Sequence, residues 1–301
     1  MSDWRGALCP YLTPAVRAAL EAAPAEKAAR ATELRLRAGR PPCLLAVEER
    51  LPLDAPPVSA EDIAAMADAM LGHSAHTRRA ELREGFVTLP GGLRAGLCGR
   101  AVLREGRLDA LQDIASLAVR LARAIPGAAD GLMPQLRSAG RLRSALLLSP
   151  PGGGKTTLLR DAARQLSLGG AQVAVVDERS ELAACLRGVP TLDVGPNTDV
   201  LDGCAKDAGL RWMLRAMSPQ ALVTDELGGS LDAQAVLEAA RSGVSVLATL
   251  HGRDLESALS RGTLYHLAQN RAFERYVLLD EREVGRVRAV QDAQLRPLEE
   301  A

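Results

Sequence analysis

Aromatic rings are nearly missing from this 301-residue chain, which holds two Phe, three Tyr and two Trp, 2% of its residues. Proteins that track single-stranded nucleic acid combine stacking rings with a basic groove. A general basic excess is missing too, since Lys plus Arg and Asp plus Glu both number 37. The zero formal charge argues against a protein that wraps nucleic acid or coats an acidic membrane. Lysine is scarce: Lys27, Lys155 and Lys206 stand alone against an arginine-rich, alanine-rich background. That bias reads as coding preference, and it makes Lys155 conspicuous. The cysteines at 9, 43, 98, 185 and 204 form no C-x-x-C pair and have no His at ligand spacing. Neither a zinc site nor a disulfide framework is indicated, and buried thiols in a reducing cytosol are the expectation. No window approaches the ~20 apolar residues of a spanning helix, and Met1-Ser2-Asp3-Trp4-Arg5 opens no apolar leader. The expectation is a soluble, cytoplasmic protein that meets any membrane from the side, through a partner.

At 47% hydrophobic and 25% charged, the composition is ordinary globular, with room for one large or two modest domains. Thr13-Pro14 reads as an N-cap and first helical position, with Pro24 interrupting before a second piece toward Arg30. Glu33 to Arg37 alternates like a half-buried strand, Cys43 to Val47 follows as another, and Ser59-Ala60-Glu61-Asp62 signals a capped helix. A helix is expected over Ala75 to Arg83, closed by Gly85. Phe86 to Leu89 and Leu93 to Leu103 read as strands joined at Pro90-Gly91-Gly92, with a turn at Glu105-Gly106 and a strand near Ser116 to Leu121. Residues 1–125 therefore make a small α+β domain, ending at the Ile125-Pro126-Gly127 break.

Residues 126–301 alternate differently. A helix over Asp130 to Ser138 leads to a strand at 144–148, a helix at 154–168 and a strand at 172–176. A helix from about 180, an apolar stretch at 191–194, a helix at 202–217, a strand at 221–225, a helix at 230–242 and a strand at 244–249 follow. Such alternation implies right-handed crossovers and a parallel sheet covered on both faces. Phe273 to Leu279 and Val284 to Val290 read as a closing hairpin. The fold class expected is α/β, a P-loop NTPase with a RecA-like core.

The strongest motif is Ser149-Pro150-Pro151-Gly152-Gly153-Gly154-Lys155-Thr156-Thr157, set between an apolar run and a helical one. A phosphate-binding loop needs this order, because glycines let backbone N–H groups face an anion and the helix N-terminus adds positive potential. Pro151, Gly152, Gly153, Gly154, Lys155, Thr156 and Thr157 are thus expected to hold ATP. Lys155 would serve the β- and γ-phosphates, the Thr156 hydroxyl Mg²⁺, and Thr157 the α-phosphate. Ser149 stands where the usual pattern has its first Gly. About seventy residues on, Ala221-Leu222-Val223-Thr224-Asp225-Glu226 is an apolar strand ending in two carboxylates, the Walker B pattern. Asp225 is expected on Mg²⁺ and Glu226 on the attacking water. Asp177-Glu178-Arg179-Ser180-Glu181 should emerge at the same sheet edge, where its acids tune metal and water or cap a helix. Thr249 and His251 end the next strand, within reach of a γ-phosphate.

Arg215-Ala216-Met217-Ser218-Pro219, Val223 to Leu227, Ala239-Ala240-Arg241-Ser242-Gly243 and Ala248 to His251 resemble, in order and spacing, the type II and type IV secretion ATPases. Their Asp box falls on Asp177 to Glu181, making Glu178 a catalytic candidate, and their His box on Thr249 to His251. A closer resemblance, to the sporulation stage III AA family, is carried by Glu33 to Pro41, Leu89 to Arg94, Val176 to Glu181 and Phe273 to Leu278. The resemblance implies an ATP-hydrolysing motor of a channel between mother cell and forespore, working as a homo-oligomer, a hexameric ring with nucleotide between subunits, against membrane-embedded components. It also implies an arginine acting in trans, for which Arg83, Arg94, Arg100 and Arg120 are candidates. Arg215 matches an arginine of the secretion ATPases, and Gly252 follows His251 where many of them carry a polar residue. Ser167-Leu168-Gly169-Gly170-Ala171-Gln172 superficially suggests an ABC ATPase but ends the P-loop helix instead of preceding Walker B, and no N-K-x-D motif points to a GTPase. The competing readings are a nucleotide-gated scaffold with negligible turnover and a nucleic-acid-dependent RecA-like ATPase.

Overall fold

The computed structural model describes residues 4–46, 49–72, 85–121, 124–138, 140–260 and 262–298. By its internal contacts the chain divides into two compact units, Met1–Arg123 and Ala124–Ala301.

The first unit is a six-stranded sheet in the order β3-β2-β1-β6-β5-β4, built from β1 (Glu33–Arg37), β2 (Cys43–Ala46), β3 (Glu49–Pro52), β4 (Phe86–Leu89), β5 (Leu93–Arg104) and β6 (Arg107–Arg120). Every pairing is antiparallel. Alternation decides which face is covered: Leu34 and Leu36 of β1 are fully buried while Glu33, Arg35 and Arg37 stay half-exposed. Helices Pro14–Ala22 and Ala60–Met70 contribute Val16, Leu20, Ile63, Met66 and Met70 to the same core. The second helix is closed at its start by a reciprocal cap, in which Asp62 N–H donates to Ser59 Oγ at 3.0 Å and Ser59 N–H to Asp62 Oδ2 at 3.3 Å. The strand expected at Ser116 to Leu121 is the final third of the longer β6, whose outer part runs back along β5 from the Glu105-Gly106 turn. Arg107-Leu108-Asp109-Ala110 alternates, but Leu111-Gln112-Asp113 breaks the period and hid the outer part. β3 and the short helix Trp4–Leu8 were not anticipated. The helix expected at 75–83 lies outside the described residues.

The second unit is a seven-stranded sheet in the order β11-β10-β12-β13-β9-β14-β15, from β9 (Ala145–Ser149), β10 (Val173–Asp177), β11 (Thr198–Asp202), β12 (Ala221–Thr224), β13 (Ser245–His251), β14 (Arg275–Leu279) and β15 (Val287–Gln291). A two-residue pair, β7 (Arg137–Ser138) with β8 (Arg141–Leu142), precedes it. All neighbours are parallel except the closing β14–β15 hairpin. β9 and β10 are buried at every position, as a sheet covered on both faces requires. Two separate apolar clusters line those faces, with Leu148 and Leu146 in one and Leu147 and Ala145 in the other.

Three expectations fail here. Residues 180–191 are turns, not helix: Ser180, Ala184 and Arg187 sit at φ 52°, 49° and 53°, and Gly188 follows at 79°. Asp177 holds this turn, its carboxylate accepting from the N–H groups of Glu181, Leu182 and Ala183 at 2.8–3.0 Å, and the left-handed residues that follow end any helical run. The apolar stretch at 191–194 adds nothing to the sheet, Val194 packing with Ala183 and Cys185 in a small satellite core, and the strand that follows β10 is Thr198–Asp202. The helix expected over Asp130 to Ser138 shortens to Met133–Leu136, since the tight turns through Gly127 and Gly131 occupy its first half and Arg137 turns extended. Helices Leu255–Leu259 and Gly262–Gln269 were not foreseen.

Candidate active site

β9 delivers the chain to the glycine-rich loop at Ser149, and helix Lys155–Leu168 carries it away. Gly154, the N-cap, has φ 87°, and a Cβ there would lie 2.8 Å from Gly285 N in the β14–β15 turn. A Cβ on Gly153 would lie 2.3 Å from Ser149 Oγ. Both positions therefore require glycine, one for conformation and one for space. The β14–β15 turn is tied to the loop by Gly285 N–H donating to Gly153 O at 3.1 Å. Ser149 compensates for the missing first glycine: its Oγ donates to Pro150 O at 2.9 Å and accepts from Lys155 Nζ at 3.0 Å.

Lys155 is buried, and its Nζ also donates to Ser149 O and Pro150 O at 2.8 and 2.9 Å. Lost hydration pushes its pKa down to about 8, opposed by the Glu226 carboxylate. A fourth contact runs to His251 Nδ1 at 3.1 Å. With the ammonium donating, Nδ1 accepts and Nε2 carries the ring proton toward Glu226 Oε1, 3.3 Å away. The other Glu226 oxygen lies 3.4 Å from Arg179 NH1. Glu226 itself sits at φ 31°, pinned by its N–H donating to Thr249 Oγ1 at 2.7 Å. The structure thus joins Lys155, His251, Glu226 and Arg179 in one chain of contacts across β9, β13, β12 and β10. A cavity of about 200 Å³, lined by Leu146, Leu227, Leu250 and Leu264, opens beside Glu226 and His251.

Asp225 is 3% exposed, and its Oδ1 has no hydrogen-bond partner. Burial pushes its pKa up to about 6, Lys206 pulls it down, and Asp177, Glu181 and Glu226 add to the rise. A buried carboxylate oxygen that accepts no hydrogen bond and has only the Lys206 ammonium 3.7 Å away, beside a glycine cradle with φ-positive turns, is a donor set that fits Mg²⁺ and nucleotide phosphates. Thr156 and Thr157 follow Lys155 in the first helical turn and are half-buried, while Pro151 and Gly152 are exposed at the loop's tip.

The acidic cluster splits by task. Asp177 Oδ1 accepts from one backbone N–H and Oδ2 from two, so Asp177 organises the loop that follows β10, the capping role that the sequence offered as one alternative. Glu178 is ion-paired to Lys206. Arg160, on the buried side of helix Lys155–Leu168, donates to the carbonyls of Glu181 and Leu182. Lys206 and Arg160 were given no role by sequence reasoning, and Arg179 stood only within the Asp177 to Glu181 cluster; the rarity of lysine was the available signal for Lys206.

Of the arginines expected to act in trans, Arg94 lies 4.2 Å over the Phe86 ring. Arg100 pairs with Asp113 at 2.7 Å and Gln112 at 2.6 Å. Arg120 is exposed on β6, and Arg83 lies outside the described residues. Arg215 is exposed in the last turn of helix Lys206–Ala216, where a cation suits the helix dipole.

Comparison with known proteins adds the following. The family model described as sporulation stage III, protein AA matches residues 5–296. Stage III sporulation protein AA of Bacillus subtilis (strain 168) is 42% identical over 226 residues, 73% of each chain. Among solved structures, the Legionella pneumophila ATPase DotB is similar at TM-score 0.61 and 16% identity, over 89% of this chain and 77% of that one. The pilus retraction motor PilT with bound ADP is similar at TM-score 0.58 and 18% identity, over 84% and 75%. At these identities the likeness is one of fold, the P-loop RecA-like fold of secretion and pilus ATPases. Among the described residues no helix is long and apolar enough to cross a membrane.

Proposed function

The chain belongs to the sporulation stage III protein AA family, and from that premise we propose that it is a Mg²⁺-dependent ATPase whose turnover drives movement against a membrane-embedded partner. One observation carries the proposal: Lys155, the buried Asp225, whose Oδ1 accepts no hydrogen bond, and the His251–Glu226 pair meet at the carboxyl edge of one parallel sheet. The fold of DotB and PilT, the latter solved with ADP, supports it.

In this mechanism Lys155 exchanges its loop carbonyls for β- and γ-phosphate oxygens, and the N–H groups of Gly152 to Thr157 surround the phosphate chain. Thr156 and Asp225 hold Mg²⁺, which when bound neutralises phosphate charge. Glu226 accepts the proton of the attacking water, and Thr249 sets its backbone while His251 and Arg179 orient its two oxygens. His251 links base to Lys155, so arrival of a γ-phosphate at Lys155 is felt at Glu226. The family resemblance extends the proposal to a homo-oligomeric, hexameric ring completed by an arginine from the neighbouring subunit, serving a channel between mother cell and forespore.

The test is steady-state ATP hydrolysis by wild type and Glu226→Gln across a protein-concentration series, with assembly state followed in the same samples. A specific rate that climbs with concentration, and a variant that assembles on ATP without turning over, support an intersubunit motor. Assembly on ATP with wild-type turnover no faster than the variant's at any concentration points to a nucleotide-gated scaffold.

A further inference from the structure

Two of the chain's three lysines are buried, and they serve opposite halves of the same edge. Lys155 faces loop carbonyls and His251. Lys206, 6% exposed, opens helix Lys206–Ala216 just past β11. The strand order β11-β10-β12 brings it beside the residues that follow β10 and β12. Its ammonium pairs closely with Glu178 Oε2 and lies 3.7 Å from Asp225 Oδ1. Among the described residues it is the one cation recorded within 4 Å of Asp225. The surrounding acids are otherwise engaged: Asp177 by backbone N–H groups, Asp202 by Ser180 Oγ at 2.5 Å, and Glu226 by His251 and Arg179. A buried ion pair of this kind is poor evidence of stability, because desolvating the ammonium is costly. A role at the site explains its place better.

We propose that Lys206 is a positioning residue for the metal: a resident counter-cation that holds Glu178 and Asp225 in place and keeps the acidic pocket from taking a divalent ion until phosphates add negative charge. This rests on Asp225 as the metal-side carboxylate. A unit charge about 4 Å from a carboxylate oxygen, away from bulk water, is large enough to decide occupancy by a divalent ion. Removing it leaves Glu178 and Asp225 to attract a cation from solution.

The experiment is Mn²⁺ binding to the nucleotide-free full chain, read by electron paramagnetic resonance, with melting temperature in EDTA and in millimolar Mg²⁺. Lys206→Met is expected to tighten Mn²⁺ binding by about tenfold or more, and to melt lower than wild type in EDTA but recover in Mg²⁺. Lys206→Arg keeps the charge and should stay within about twofold of wild type in Mn²⁺ affinity. Adding Asp225→Asn to Lys206→Met should abolish the gained Mn²⁺ binding, which ties the effect to that carboxylate. If Lys206→Met folds poorly, Glu178→Gln/Lys206→Met removes both partners of the ion pair and should still bind Mn²⁺ more tightly than Glu178→Gln alone. Unchanged Mn²⁺ affinity on loss of the Lys206 charge, or a melting temperature of Lys206→Met indifferent to Mg²⁺, overturns the proposal. Because no readout involves turnover, its failure is separable from failure of the ATPase proposal, which the wild-type and Glu226→Gln rates decide.

Discussion

The two sheets of this molecule solve burial in opposite ways. In the antiparallel sheet, β1 buries Leu34 and Leu36 and leaves Glu33, Arg35 and Arg37 half-exposed, so polar groups are distributed along the strand. In the parallel sheet, β9 and β10 bury every side chain, and the polar chemistry is displaced to the strand ends. Parallel strands all end on one side, so Ser149, Asp177, Asp225 and His251 collect at a single edge. Antiparallel strands alternate their ends and collect nothing. The difference teaches that burying the central strands of a parallel sheet concentrates charge at their ends, and that such concentration supplies a site with carboxylates close enough to perturb one another.

The largest test of that contrast is chemical. Glu226→Gln at the parallel edge should lower kcat for ATP hydrolysis by about 10²–10⁴ while nucleotide affinity, measured with a fluorescent analogue, stays near wild type. Next comes packing. Adjacent substitutions Leu147→Ala and Leu148→Ala should each cost about 2–5 kcal/mol in urea unfolding, because the two residues belong to apolar clusters on opposite faces. In β1, Leu34→Ala should cost about as much but its neighbour Arg35→Ala less than about 1 kcal/mol. Equal costs at Leu34 and Arg35 would erase the contrast.

A smaller effect concerns pH. Asp225 has a folded pKa raised to about 6, so between roughly pH 4 and 6 the folded chain binds more protons than the unfolded one, and its stability falls as pH rises through that window. In nucleotide-free protein with EDTA, Asp225→Asn should remove that slope and add about 1–3 kcal/mol at pH 7. A slope that survives the substitution would assign it to another group. Smallest is Ser59→Ala in the first unit, which removes a capping bond and should cost about 1 kcal/mol without touching nucleotide binding.

Much of the fold class was legible because its signals are local. Apolar runs of four marked β9 and β10, and glycines followed by a helix marked the loop. Asp225 and Glu226 ended an apolar run visible to the eye. What escaped had distant causes. Glu181-Leu182-Ala183-Ala184 has the composition of a helix, and nothing in that string shows Asp177 drawing its N–H groups away. The outer length of β6 breaks its alternation at Leu111-Gln112-Asp113 and shows as one continuous strand only in its pairing with β5. Lys206 lies 19 residues before Asp225 and 28 after Glu178 in sequence, at spacings that no motif relates.

By itself, then, the sequence determined which segments become buried strands, where glycine must stand, and which residues end the strands, because backbone conformation and periodic burial are local properties. The tertiary structure decided which strand ends are neighbours, and with that which charge faces which. Coulomb interaction and desolvation depend on distance through space, and the crossover connections that place β10 between β11 and β12 created the contacts among Glu178, Lys206 and Asp225.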